Sequence, residues 1–103
     1  LSNREREVDL AKRVKVIEWL KTEVVDQVAH LLKGIWEGNQ AKITDGLASL
    51  ISSVYILGRR LGVSFRSLDE AIMDKMKKHR EEGHQLEDWY GDISALEDHL
   101  RKR

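Results

Sequence analysis

Residues 17–38 read IEWLKTEVVDQVAHLLKGIWEG, and two spacings inside this stretch decide the fold. The first is apolar. Leu10, Val14, Ile17, Val24, Val28, Leu31 and Ile35 recur at three- and four-residue steps, with Val25 and Leu32 widening the stripe. That period predicts a long helix from about Val8 to Trp36. Gly34 and the Glu37-Gly38-Asn39 turn bring it to an end. The second spacing is polar. Trp19, Glu23, Asp26 and His30 stand 4, 3 and 4 apart and stack along another side of the same helix. Two carboxylates one turn apart can reach one hard cation, and Mg²⁺ prefers oxygen ligands while keeping several waters. The same charges also suit a plain solvent-facing helix side.

Working outward, Asn39 to Asp45 is polar and turn-like, and a second helix is expected from near Lys42. Its stripe is Ile43, Leu47, Leu50, Val54, Leu57 and Leu61. Gly46 to Gly58 holds no charged residue, which predicts a helix covered on several sides, by its own bundle or by another subunit. Ser49, Ser52 and Ser53 are small enough for close packing, and nothing places an activating base beside them. Arg59 and Arg60 suit the negative end of the helix dipole.

A third helix is expected to start at Ser64 or Ser67, where Ser67-Leu-Asp-Glu70 fits a capping box. Leu68, Ile72 and Met76 form its stripe, and projecting that stripe forward puts Lys75 and His79 on or beside it. A lysine there can neutralise phosphate, pair with an acid, or snorkel to water. After Gly83-His84 the period breaks. Residues 85–103 read as a turn followed by a short helix with Ile93, Leu96 and Leu100 inward. Trp89 and Tyr90 are expected to dock this tail onto the bundle.

Composition bounds the function. The chain has 103 residues, and 35% are charged against a usual value of about 25%. Eighteen basic and eighteen acidic residues cancel, which argues against a general nucleic-acid binder. There is no cysteine, so disulfides and thiolate metal sites are excluded, and no proline interrupts the helices. His79 and His84 are five apart without further ligands, and no Gly-rich phosphate loop occurs. No apolar run approaches membrane-spanning length and no signal-peptide pattern is present, so the expected location is the cytoplasm, away from membranes.

Acid pair, uncharged helix and basic cluster in this order, from Ile17 to His84, resemble the MazG-like all-α nucleoside-triphosphate pyrophosphohydrolases. The family's first motif, Glu-Glu-x-x-Glu, falls on Thr22-Glu23-Val24-Val25-Asp26, with Thr22 in place of the first acid. Its second motif, Glu-x-x-Asp, counts back from Leu61-Gly62 to Gly46 and Ser49, with Asp45 adjacent. Its basic motif, Lys-x-x-x-Asn-Arg, matches Lys75-Met-Lys-Lys-His79-Arg80 with His for Asn, and Gly83-His84 follows as in the family.

The resemblance implies one all-α domain over 1–103, an antiparallel bundle of three long helices plus a short C-terminal helix. Residues 1–7 are expected to be a disordered lead-in. It implies Mg²⁺ on Glu23, Asp26 and Asp45, with Glu23 and Asp26 catalytic. Lys75, His79 and Arg80 would contact the nucleoside triphosphate, and Trp19 would stack on its base. Cleavage between the α- and β-phosphates and assembly as a homodimer or larger homo-oligomer complete the expectation. The alternative is a helical dimer without catalysis that binds nucleotide or protein.

Overall fold

The computed structural model describes residues 2–102, all-α with no strand among them. Five helices follow one another: α1 Asn3–Glu37, α2 Gln40–Arg60, α3 Phe65–Glu82, α4 Gln85–Tyr90 and α5 Asp92–Arg101. The chain falls into two compact units, the first closing at Val63 and the second opening at Ser64.

The first unit is a helical hairpin. α1 starts five residues earlier than the apolar period predicts, because Ser2 and Glu5 form a capping box. The Glu5 amide donates to Ser2 Oγ at 3.1 Å and the Ser2 amide to Glu5 Oε2 at 3.2 Å. Two orphan donors of the first turn are thereby satisfied, and residues 3–7 are helix where a disordered lead-in is expected. At the other end Gly38 takes φ 63°, a conformation that costs a glycine little. The Asn39 side chain accepts from the Lys42 amide at 3.2 Å and opens α2 at once. Lys42 Nζ closes the turn on Glu37 Oε2 at 2.7 Å, which holds the Glu37 carboxyl below the usual range.

The seam of this hairpin differs from the stripe read in the sequence. With Glu23 and His30 half-buried beside it, the line of α1 there runs through Ile17, Leu20, Val24, Gln27, Leu31 and Gly34. They alternate steps of three and four, a coiled-coil-like line. Leu20 is buried, whereas Leu10, Val14, Val28 and Ile35 of the expected stripe are exposed. The facing line on α2 is Ile43, Gly46, Leu50, Ser53 and Leu57. Two glycines set the distance between the helices. A Cβ at Gly46 would lie 3.0 Å from Leu31 Cα, and one at Gly34 would lie 3.1 Å from Lys42 Cβ. The backbones therefore touch, and the exchange of 31 with 46 and 34 with 42 and 43 fixes the antiparallel register.

Within one chain α2 is covered by α1 on one face, not on several sides. Leu47, Ile51, Val54 and Ile56 are exposed, because one neighbour in the hairpin covers one face only. At 1.5 Å per residue, α1 is about 52 Å long and α2 about 31 Å, so residues 3–16 extend past the reach of α2. All of them are exposed.

In the second unit α3 packs on α5, and α4 on α5. Ser64 is the cap of α3, its Oγ accepting from the Ser67 amide at 3.0 Å, so the Ser67 capping box is not used. The tail forms two helices, not one. Glu87 Oε2 accepts both the Ser94 amide and the Ser94 hydroxyl at 2.9 Å, bracing the first turn of α5. Ile93 and Glu97 are the buried residues of α5, and Leu96 of the expected stripe is exposed. Trp89 and Tyr90, expected as anchors, are 66% and 72% exposed and meet each other edge to face.

The glycine seam carries a testable cost. Gly46→Leu gains helix propensity but drives a side chain into the Leu31 backbone, and overpacking of this kind costs about 1–3 kcal/mol. Urea melts should show that loss, while the same change at exposed Ala48 should leave the midpoint nearly unmoved.

Candidate functional site

The acidic residues of the expected site lie on one edge of the α1–α2 hairpin. Glu23 is half-buried and its Oε2 accepts from Gln27 Nε2 at 3.4 Å, one turn on. Asp26 is exposed, with no hydrogen bond or ion pair among the described residues. His30, a turn beyond Asp26, has its Nε2 3.5 Å from Asp45 Oδ2 on α2. Asp45 thus joins the edge through His30. Trp19 opens the line, with its ring 59% exposed.

The backbone contacts of 31 with 46 and of 34 with 42 and 43 put position 26 level with about 50 and 51 on α2. Ser49, at the expected second acidic position, is half-buried on α2. Position 46 is different. Its Cβ would point at the Leu31 backbone at 3.0 Å, so a side chain there needs the helices to give by a few tenths of an ångström. Thr22, in place of the first acid, turns its hydroxyl back onto the Glu18 carbonyl at 3.2 Å. Among the described residues, no three His, Asp or Glu side chains come together as a metal-holding group.

The basic residues belong to α3 in the second unit. Its less exposed positions include Leu68, Ile72, Met76 and His79, while Lys75 is exposed. The projected stripe passes beside Lys75 and leaves its amine in water. His79 packs its ring edge to face on His84 at a centroid distance of 5.3 Å. His84 in turn caps α4, its Nδ1 accepting the Leu86 amide at 3.1 Å.

Arg80 is exposed but tied to the tail. Its Nε donates to Glu97 Oε1 at 2.7 Å, and Arg101 Nη2 reaches Glu97 Oε2 at 3.1 Å. Glu97 is only 3% exposed, and each of its oxygens meets one arginine. The hydrogen bond from Arg80 holds the Glu97 carboxyl below its usual range, and the same bond raises Arg80. Sequence reading misses Glu97, because 17 residues separate it from Arg80. The available signal is an acid four residues after Ile93, in line with an apolar stripe.

This pair links stability to pH. The unfolded chain binds a proton at Glu97 near the ordinary glutamate value of about 4.3, before the folded chain does. Stability is therefore full above that value and is lost as pH falls through the lower folded-state value. Glu37 contributes in the same direction. The melting midpoint of the native protein should drop more steeply below about pH 4.3 than that of Glu97→Gln, which has no proton to take up there.

The described helices include none long and apolar enough to cross a membrane. A comparison with known protein families gives one match, the MazG-like family, over residues 10–93. Neither the curated proteins nor the solved structures contain a match.

Proposed function

The chain belongs to the MazG-like family, and from that premise we propose that it is a magnesium-dependent nucleoside-triphosphate pyrophosphohydrolase acting as a homodimer. The observation that carries this reading is the edge formed by Glu23, Asp26 and His30, to which α2 adds Asp45. Glu23 and Asp26, one turn apart, suit a single Mg²⁺ whose remaining positions are filled by water. With Thr22, Gly46 and Ser49 in place of carboxylates, the donor set fits one ion and not a two-ion centre. Bound there, Mg²⁺ supplies positive charge against the triphosphate and acidifies a bound water.

The chain's own residues have the following roles. Glu23 and Asp26 hold and orient the ion, and Gln27 steadies Glu23 by its hydrogen bond. Asp45 stands 3.5 Å from His30 and adds negative charge at the end of the line. Lys75 and Arg80 offer positive charge to phosphate oxygens, and His79 a hydrogen bond. The exposed indole of Trp19 gives a base a face to stack on. Cleavage between the α- and β-phosphates yields the nucleoside monophosphate and pyrophosphate.

The open apolar surface supports the homodimer. Val25, Val28, Leu32 and Ile35 on α1 and Leu47, Ile51 and Val54 on α2 are all exposed in one chain. A hairpin with one covered seam leaves more apolar area in water than a small domain can sustain. Sedimentation at micromolar concentration should give twice the chain mass of 11.9 kDa, and a stable monomer would reject the assembly.

A second reading, a helical dimer that binds nucleotide or protein without cleaving, is favoured by one observation. No three acidic or histidine side chains converge among the described residues. Pyrophosphate release across a panel of nucleoside triphosphates, titrated with Mg²⁺, separates the two. The expected result is release that requires metal and disappears in Glu23→Ala, with the melting midpoint of that variant nearly unchanged. Release that survives Glu23→Ala would remove the proposed site, and no release from any nucleotide would favour the binding reading.

A further inference from the structure

The geometry points to Glu97 as a positioning residue that fixes the Arg80 guanidinium for a phosphate ligand. This rests on the functional reading above for Arg80 and adds to it a residue beyond position 93, where the family match ends.

A guanidinium has five N–H donors in a fixed plane. Arg80 gives Nε to Glu97 Oε1 at 2.7 Å, and its recorded bonds leave the four hydrogens on the two Nη atoms to another acceptor. Holding Nε fixes the plane, so the direction of the remaining fork is set before any ligand arrives. Glu97 is itself fixed. It is 3% exposed, and its second oxygen is taken by Arg101 at 3.1 Å. Arg80 is not buried with it: 40% of its side chain is exposed, and it lines an open cleft of about 350 Å³ with Ser94, Glu97, Asp98 and Arg101. A buried carboxylate behind a half-open arginine is the arrangement that orients a phosphate ligand without consuming its charge-bearing face. A lysine at this position has one nitrogen and cannot hold Glu97 and present a planar fork together.

The test uses Glu97→Gln, Arg80→Ala, Arg80→Lys and the double variant of the first two. Binding of inorganic triphosphate is measured by calorimetry, and KM and kcat by pyrophosphate release. Glu97→Gln should weaken triphosphate binding and raise KM roughly tenfold, the scale of one misaligned charge-assisted hydrogen bond, with kcat within about twofold. The double variant should bind no worse than Arg80→Ala alone, because Glu97 acts only through Arg80. Arg80→Lys should behave like Arg80→Ala. A Glu97 that serves folding only would lower the melting midpoint and leave KM unmoved, which overturns the positioning role. Additive losses in the double variant overturn it too.

If Glu97→Gln does not fold, the native protein still decides. The Arg80 Nε–H resonance should stay protected from exchange when triphosphate is added. Its loss to solvent would mean that Arg80 leaves Glu97 to bind, which overturns the proposal. Native protein that binds no triphosphate overturns the functional reading together with this inference. Native protein that binds while Glu97→Gln binds equally well overturns only the inference.

Discussion

Contact between two helix backbones governs the first half of this protein. Where α1 crosses α2, Gly46 comes so near Leu31 that a β-carbon would sit at 3.0 Å, and Gly34 meets Lys42 and Ile43 in the same way. Everything positioned in the hairpin follows from that approach. It sets the antiparallel register, and the register brings His30 to Asp45. It also gives position 46 to packing. A side chain there and so close a seam compete for the same space, so glycine at 46 serves the tight hairpin.

The second unit is held by a different kind of interaction. α5 buries one hydrocarbon side chain, Ile93, and one carboxylate, Glu97. Removing a carboxylate from water is costly unless charged donors replace the water, and here Arg80 and Arg101 do so, one on each oxygen. The arrangement has a direction. Arg101 is four residues along the same helix, whereas Arg80 comes from α3, so the pair with Arg80 ties the tail to the helix that carries the basic motif.

Function is supported by family and by the acidic edge, and the two differ in what they carry. Membership of the MazG-like family covers residues 10–93 and speaks for the fold. The edge speaks for chemistry, and it holds fewer carboxylates than the family's motifs: Glu23, Asp26 and Asp45 remain, while Thr22 and Ser49 present hydroxyls. A hydroxyl is a neutral ligand, and hard cations bind less strongly as ligand charge falls. In the proposed site these substitutions would lower the affinity for a cation.

The sequence by itself determined the three long helices, their order and the alignment of Glu23, Asp26 and His30, because these depend on local period, capping and turn chemistry. Ser64 and the Gly38-Asn39 turn were legible for the same reason. It did not determine which apolar stripe packs. Ile17, Val24 and Leu31 of the expected stripe lie toward the seam and Leu20 joins them, whereas Leu10, Val14 and Val28 do not, since a narrow line suffices against one partner helix and glycine positions choose which line it is. Lys75 escaped to water and Trp89 stayed exposed because helical phase alone does not say where a neighbour lies. The pairs His30 with Asp45 and Arg80 with Glu97 were decided only by tertiary structure. Each joins residues far apart in the chain, and no local pattern encodes a distance between helices.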